Sequence, residues 1–161
     1  MKLFQNLFGK GGITVGAPAN GKLVSIKEVN DPTFSEEILG KGAAVIPSDG
    51  RFYAPADGTM TTVFPTGHAV AITTGDNVEI LIHVGLDTVK LDGKHFTVHV
   101  QEGQKVVKGD LLLEADLEQI KAEGYDTVTP VIICNSDAFS EVTPADPAEV
   151  AHGDTIITLK A

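Results

Sequence analysis

His68 and His83 stand fifteen residues apart, with Gly75-Asp76 halfway between them. Apolar, β-prone residues flank Gly75-Asp76 on both sides, the pattern of two strands joined by a tight hairpin. With those two residues as the loop, facing positions sum to 151, as 68 and 83 do. Directly opposed residues have Cβ atoms about 4.5–5.5 Å apart, so two imidazoles are expected to meet on one face. A lone His83, at the end of the apolar run Val78–Ile82, would read as a buried core residue; the partner changes that reading. Like charge and desolvation both disfavour protonating two such rings, which leaves at least one ring nitrogen neutral and nucleophilic near neutral pH. One use is phosphoryl transfer, in which one imidazole attacks phosphorus and the other donates an N–H to the phosphoryl oxygens. Thr66 shares the face of His68 by strand parity and can orient its ring. Gly67 and Gly85 leave room for a close approach to the backbone. The alternative is a metal site, but two histidines without an evident third ligand make a poor zinc site. No metal and no cofactor are expected.

A β-rich scaffold must position this pair. From residue 13 onward short β-branched runs alternate with Gly, Pro, Asp and Asn. Strands are expected at Lys22–Val29, Ala43–Pro47, Phe52–Ala54, Thr59–Phe64, His68–Thr73 and Val78–Val84. Further along the chain they are expected at His95–Val100, Leu111–Ala115, Thr129–Cys134 and Thr155–Leu159. Helical periodicity is confined to Leu117–Glu123, capped by Asp116, and a short turn within Asp31–Leu39. Two echoes stand out. Ala17-Pro18-Ala19-Asn20-Gly21 recurs as Ala54-Pro55-Ala56-Asp57-Gly58, and Val107-Lys108-Gly109-Asp110 recurs as Ala151-His152-Gly153-Asp154. They predict a duplicated β unit closed into an all-β antiparallel sandwich or flattened barrel. Residues 13–161 are expected to form one domain behind a tail at 1–12. In that tail Met1, Phe4, Leu7 and Phe8 have the spacing of a short amphipathic helix that can touch a membrane or partner.

The chain has 161 residues and a formal charge of −10, which argues against a nucleic-acid binder and suits a partner with a basic docking face. A single cysteine, Cys134, forms no internal disulfide, and a reduced, cytoplasmic setting is expected. No apolar run approaches a transmembrane length, and the N-terminus lacks the core of a secretory signal.

Pro65-Thr66-Gly67-His68-Ala69, taken with Leu81-Ile82-His83-Val84-Gly85-Leu86-Asp87-Thr88-Val89, closely resembles the glucose-family IIA component of the bacterial sugar phosphotransferase system. The resemblance extends through both Ala-Pro-Ala turns, Gly40–Ala44, Glu102-Gly103-Gln104 and Thr129-Pro130-Val131, and so covers nearly everything after residue 14. It implies a β-sandwich phosphocarrier. His83 is then the residue that accepts phosphate from the phosphocarrier protein HPr and passes it to the IIB domain of a sugar permease. His68 is the second histidine, which stabilises the phosphorylated state, and Thr66 is the hydroxyl bonded to it. Asp31 and Asp87 are acidic residues at the rim, and Phe34, Leu39, Phe64, Leu81 and Val89 form a hydrophobic collar where partners dock. An exposed apolar ring around a reactive imidazole is a partner site in physical terms, and it limits hydrolysis by excluding water. Read without the resemblance, Phe34 and Phe64 are ordinary core residues. In some relatives the unphosphorylated form binds permeases or metabolic enzymes, so regulatory targets are a further expectation.

Other classes fit less well. A swinging-arm biotinyl or lipoyl domain has glycine turns like those of residues 102–110, but it needs a modifiable lysine in a tip motif that this chain lacks. A zinc peptidase on a related hybrid fold needs a His-x-His pair, also lacking. A non-catalytic regulatory binding module remains as an alternative. His95, His99 and His152 read as surface, packing or turn residues. No fused permease segment is evident, so a free-standing protein is expected.

Overall fold

The computed structural model describes residues 12–161. The N-terminal segment expected to be an amphipathic tail lies outside them, save for Gly12. Strands β1 (Ile13–Gly16), β2 (Gly21–Ser25), β3 (Lys41–Pro47), β4 (Arg51–Tyr53), β5 (Gly58–Val63), β6 (Ala69–Thr74) and β7 (Glu79–His83) make up the first half. Strands β8 (Phe96–Val98), β9 (Lys105–Val106), β10 (Leu111–Ala115), β11 (Thr129–Ile133), β12 (Glu141–Pro144), β13 (Ala148–Val150) and β14 (Thr155–Lys160) follow. All pair antiparallel, in one eight-stranded sheet of order β13-β2-β3-β11-β7-β6-β5-β9 and two three-stranded sheets, β1-β14-β12 and β4-β10-β8. The chain is an all-β flattened sandwich, as expected.

Alternation along the strands decides what each face does. Leu23, Val45, Val131, Ile133, Ile80, Ile82, Val70 and Ile72 point inward and join Phe52, Leu112, Leu113, Ile156 and Leu159 in the main core. The opposite face of the large sheet carries Val24, Ala44, Ile132, Leu81 and, by the same parity, His83. Residues 26–40 fold over that face and bury a second cluster of Val24, Ile26, Val29, Phe34, Ala44, Leu86, Val128 and Ile132. Strand β11 is therefore buried on both faces, which is why it reads as an unbroken apolar run.

The echoes mark a duplication, and its arrangement is nested. Strands β4 to β10 form one copy in chain order, inserted between β3 and β11; the other copy is β1-β2-β3-β11-β12-β13-β14. Each pairing in one has its mate in the other: β1-β14 and β4-β10, β12-β14 and β8-β10, β13-β2 and β9-β5, β2-β3 and β5-β6, β3-β11 and β6-β7. The copies clasp through reciprocal bonds. Gly16 N–H donates to Pro55 O at 2.9 Å and Tyr53 N–H to Pro18 O at 2.7 Å. Within each copy an equivalent bond ties matching turns together: Lys108 N–H donates to Asp57 Oδ1 in one and His152 N–H to Asn20 Oδ1 in the other, each at 2.8 Å.

The expected strands are present with shifted ends, whereas β1, β9, β12 and β13 are additional; all four are four residues or shorter and carry little pattern. The segment Lys22–Val29 is strand only to Ser25, whose hydroxyl caps a 3-10 turn at Ile26–Glu28. Helix α1 (Pro32–Ser35) is capped by Asp31, and α2 (Leu117–Ala122) by Asp116, as their sequences imply.

The hairpin register is a correction. Ala69, not His68, faces His83, and facing positions sum to 152. The loop has three residues because Asn77 adopts φ 62, and Thr74 N–H closes it on Val78 O at 3.0 Å. Asparagine tolerates this left-handed conformation, and a turn followed by such a residue is the usual three-residue hairpin.

Candidate functional site

Regular alternation from Ala69 would send residue 68 to the face away from His83. The chain avoids this because His68 precedes β6, in a bend that follows Gly67 at φ 72. Gly67 N–H donates to Phe64 O at 2.8 Å, Phe64 N–H to Ala69 O at 3.1 Å and Val84 N–H to His68 O at 2.7 Å, which fix the bend. The two rings then lie edge to face, with centroids 4.9 Å apart and planes at 83°.

Each ring has one nitrogen committed. His83 Nδ1 is 2.7 Å from Gly85 O, so it carries the proton, donates it to the carbonyl and leaves Nε2 with its lone pair. His68 Nδ1 is 2.6 Å from Thr66 Oγ1; the contact is made across the turn rather than along a strand. Gly85 supplies its carbonyl because the chain turns there at φ 81. A Cβ on Gly85 would lie 2.6 Å from Thr88 Cγ2 and 2.8 Å from Asp126 O. A Cβ on Gly67 would meet Phe96 and Val98. Both glycines therefore answer to backbone conformation and packing, not to an open approach for a ligand.

Electrostatics keep the pair neutral. Burial, and secondarily the neighbouring His83, hold the His68 ring at about 4, well below the ordinary 6.5. Burial also lowers His83; the bond to Gly85 and the charges of Asp31 and Asp87 oppose that shift. Asp31, the α1 cap, and Asp87, at φ 59 before the 3-10 turn Thr88–Leu91, thus both act on His83. Because the folded His68 ring gains its proton only near pH 4, the unfolded chain binds more protons between 6.5 and 4, and stability falls as pH falls through that window. The difference between about pH 7 and about pH 5 is on the order of 2 kcal/mol. Denaturant unfolding of wild type and His68→Gln at the two pH values should show this slope reduced by that amount in the variant; equal slopes would contradict it.

The expected collar is brought together only in part. Leu39, Phe64 and Val89 are exposed, and Leu81 is half-buried against the second cluster. Phe64 packs edge-on against His68, with centroids 5.3 Å apart. Phe34 differs: it is 3% exposed and its ring packs on His83 at 5.1 Å, so it backs the imidazole instead of facing solvent. Ile38, next to Leu39 in the chain, is 67% exposed; a residue in an aperiodic loop gives no sequence signal of its side. The Gly85 carbonyl was missed too, since a backbone acceptor leaves no trace in residue type. His95 and His99 bond Glu123 and Glu114, and His152 stacks on Tyr53; none adjoins the pair. Clefts of about 410 and 530 Å³ lie around Thr14, Asp57 and Asp76 and around Asn20, Arg51 and Tyr53, and neither is lined by a site histidine. Among the described residues no group of three or more His, Cys, Asp or Glu is placed to hold a metal ion.

The glucose permease IIA from Mycoplasma capricolum has the same fold, with a TM-score of 0.83 and 38% identity over 92% of this chain and 96% of that one. The family model described as phosphoenolpyruvate-dependent sugar phosphotransferase system, EIIA 1, matches residues 13–139, and the chain belongs to that family. The glucose-specific EIIA component of Halalkalibacterium halodurans is 46% identical over 145 residues, 89% of this chain and 84% of that protein. That of Oceanobacillus iheyensis is 41% identical over 160 residues, 96% and 97% of the two chains. The beta-glucoside-specific EIIBCA component of Bacillus subtilis is 50% identical over 145 residues, which are 90% of this chain. The chain spans only 17% to 24% of the length of such multidomain relatives.

Proposed function

We propose that this chain is a phosphohistidine carrier that takes a phosphoryl group from phospho-HPr on His83 and passes it to the IIB domain of a sugar permease, for glucose or a related sugar. The observation that carries this reading is the bond from His83 Nδ1 to Gly85 O, which leaves Nε2 as the unprotonated nucleophile beside a second imidazole. Nε2 attacks phosphorus as the donor's N–P bond breaks, and His83 keeps its Nδ1 proton. The phosphorylated ring then bears positive charge, which the Gly85 carbonyl, Asp31 and Asp87 favour. With the Thr66 hydroxyl donating to His68 Nδ1, the His68 proton sits on Nε2 and faces the phosphoryl oxygens. In-line transfer needs positioning and charge stabilisation more than covalent chemistry.

The exposed Leu39, Phe64 and Val89 supply an apolar rim for partner proteins, and in the unphosphorylated state the same rim serves regulatory binding. Relatives named EIIBCA components hold a IIB part in the same polypeptide, which supports the IIB domain as acceptor. Among the described residues no helix is long and apolar enough to cross a membrane, and we place the activity in the cytoplasm, where HPr and the IIB domain meet. Incubation with phosphoenolpyruvate, the general phosphotransferase enzyme and HPr should yield an acid-labile, base-stable phosphate on Nε2 of His83. Label on Nδ1, on another residue, or absent altogether would overturn the reading.

A further inference from the structure

His68 leaves a bend, so its direction depends on what holds that bend. Gly67 lies against β8. A Cβ built on it would sit 2.9 Å from Phe96 Cβ and 3.1 Å from Val98 Cγ2, and the first distance is closer than real Cβ contacts come. Strand β8 belongs to the smaller sheet, where Phe96 pairs with Ala115 and Val98 with Leu113 of β10. Both side chains are partly buried against the main core. The wall is anchored at its start as well: His95, at φ 75, bonds Glu123 through Nε2, and its carbonyl accepts from Asp116 N–H at 2.9 Å. The second sheet therefore braces the turn that carries Thr66 and His68. His83 has separate support, from its place in β7 and its bond to Gly85.

We propose that Phe96, with Val98 beside it, is a positioning residue of the phosphoryl relay: it seats Gly67 and so holds the His68 ring against His83. The inference rests on His83 being the phosphoryl acceptor, and it separates the two histidines by their supports. Trimming the wall should loosen His68 while leaving the nucleophile in place. Misplacement of a stabilising group by about 1 Å costs up to about 10²-fold in rate.

The test compares wild type, Phe96→Gly, Phe96→Leu and Val98→Ala by imidazole nitrogen NMR of the protein alone, by acceptance of phosphate from phospho-HPr, and by transfer to a IIB domain. Phe96→Gly removes the Cβ that lies against Gly67, and Phe96→Leu keeps it. In Phe96→Gly the His68 nitrogen shifts should move towards those of a freely exchanging tautomer pair, while the His83 Nδ1–H signal stays. Acceptance should keep the wild-type rate and onward transfer should fall roughly 10- to 100-fold, with Phe96→Leu restoring both shifts and transfer. Unchanged His68 shifts and transfer in a folded Phe96→Gly would overturn the proposal, as would equal loss of acceptance and transfer. Should Phe96→Gly not fold, Val98→Ala must show the same pattern at smaller amplitude, and wild-type behaviour there overturns it. Should wild type take no phosphate, the carrier reading fails by itself, and the His68 shifts still decide whether Phe96 positions the ring.

Discussion

His83→Ala is expected to take no phosphate from phospho-HPr: label should fall to background under conditions that label the wild type. Every other nitrogen near the site is committed or shielded. His68 is 3% exposed, its Nδ1 is held by Thr66, and its ring lies behind Phe64. His95, His99 and His152 are engaged elsewhere on the surface. No second acceptor stands ready once Nε2 of residue 83 is gone. The fold should survive, since His83 ends β7 and is only half-buried; a stability change of about 1 kcal/mol is expected. A thermal melt beside the labelling assay separates loss of the nucleophile from loss of structure. Undiminished label in a folded His83→Ala would sink the assignment of His83 as acceptor.

His68→Gln should accept phosphate but hand it on about a hundredfold or more slowly. The attacking atom, its tautomer and the Gly85 bond are all untouched by this change, so acceptance persists. What is lost is a rigid donor fixed at both ends, by Thr66 on one nitrogen and by ring contact with His83 and Phe64. A glutamine amide can reach the same place, but it sits on a freely rotating chain not locked by those contacts, so it follows the phosphoryl group poorly as charge moves to the acceptor. Single-turnover transfer from the phosphorylated variant to a IIB domain measures this directly. Transfer at the wild-type rate would remove the stabilising role from His68.

The class of fold was legible because the signals that specify it are local and repeated: β-branched runs, Gly-Asp turns and two Ala-Pro-Ala entries into strands. The site was legible for a less direct reason. Counting across Gly75-Asp76 placed His68 opposite His83, yet the real partner is Ala69, displaced by the left-handed Asn77. The rings still meet because His68 has left the strand, and the bend at Gly67 cancels the one-residue error. Asn77 itself was a signal, since Asn commonly adopts positive φ. Phe34 turns inward, as its apolar type alone implies and the collar reading does not, while nothing local foretold that Ile38 turns outward: both belong to residues 26–40, whose sides are set by the sheet beneath them. The tautomer of His83 was likewise invisible, because its determinant is a backbone oxygen two residues away.

Nesting one copy inside the other sets an order of events during synthesis. Strands β4 to β10 are contiguous, so the copy bearing Thr66, His68, His83 and Gly85 emerges whole from the ribosome. Strands β1, β2 and β3 emerge earlier but must wait for β11 and β14, and the gap from Pro47 to Thr129 lasts on the order of 10 s at about 5–20 residues per second. Through that interval β3 offers an open apolar edge, a hazard for misassociation. Substitutions in β11 should therefore impair yield on the ribosome more than those in β7, although the two strands occupy matching places in the finished sheet. The copy that holds His68 and His83 is complete first, and the copy that encloses it in the chain closes last.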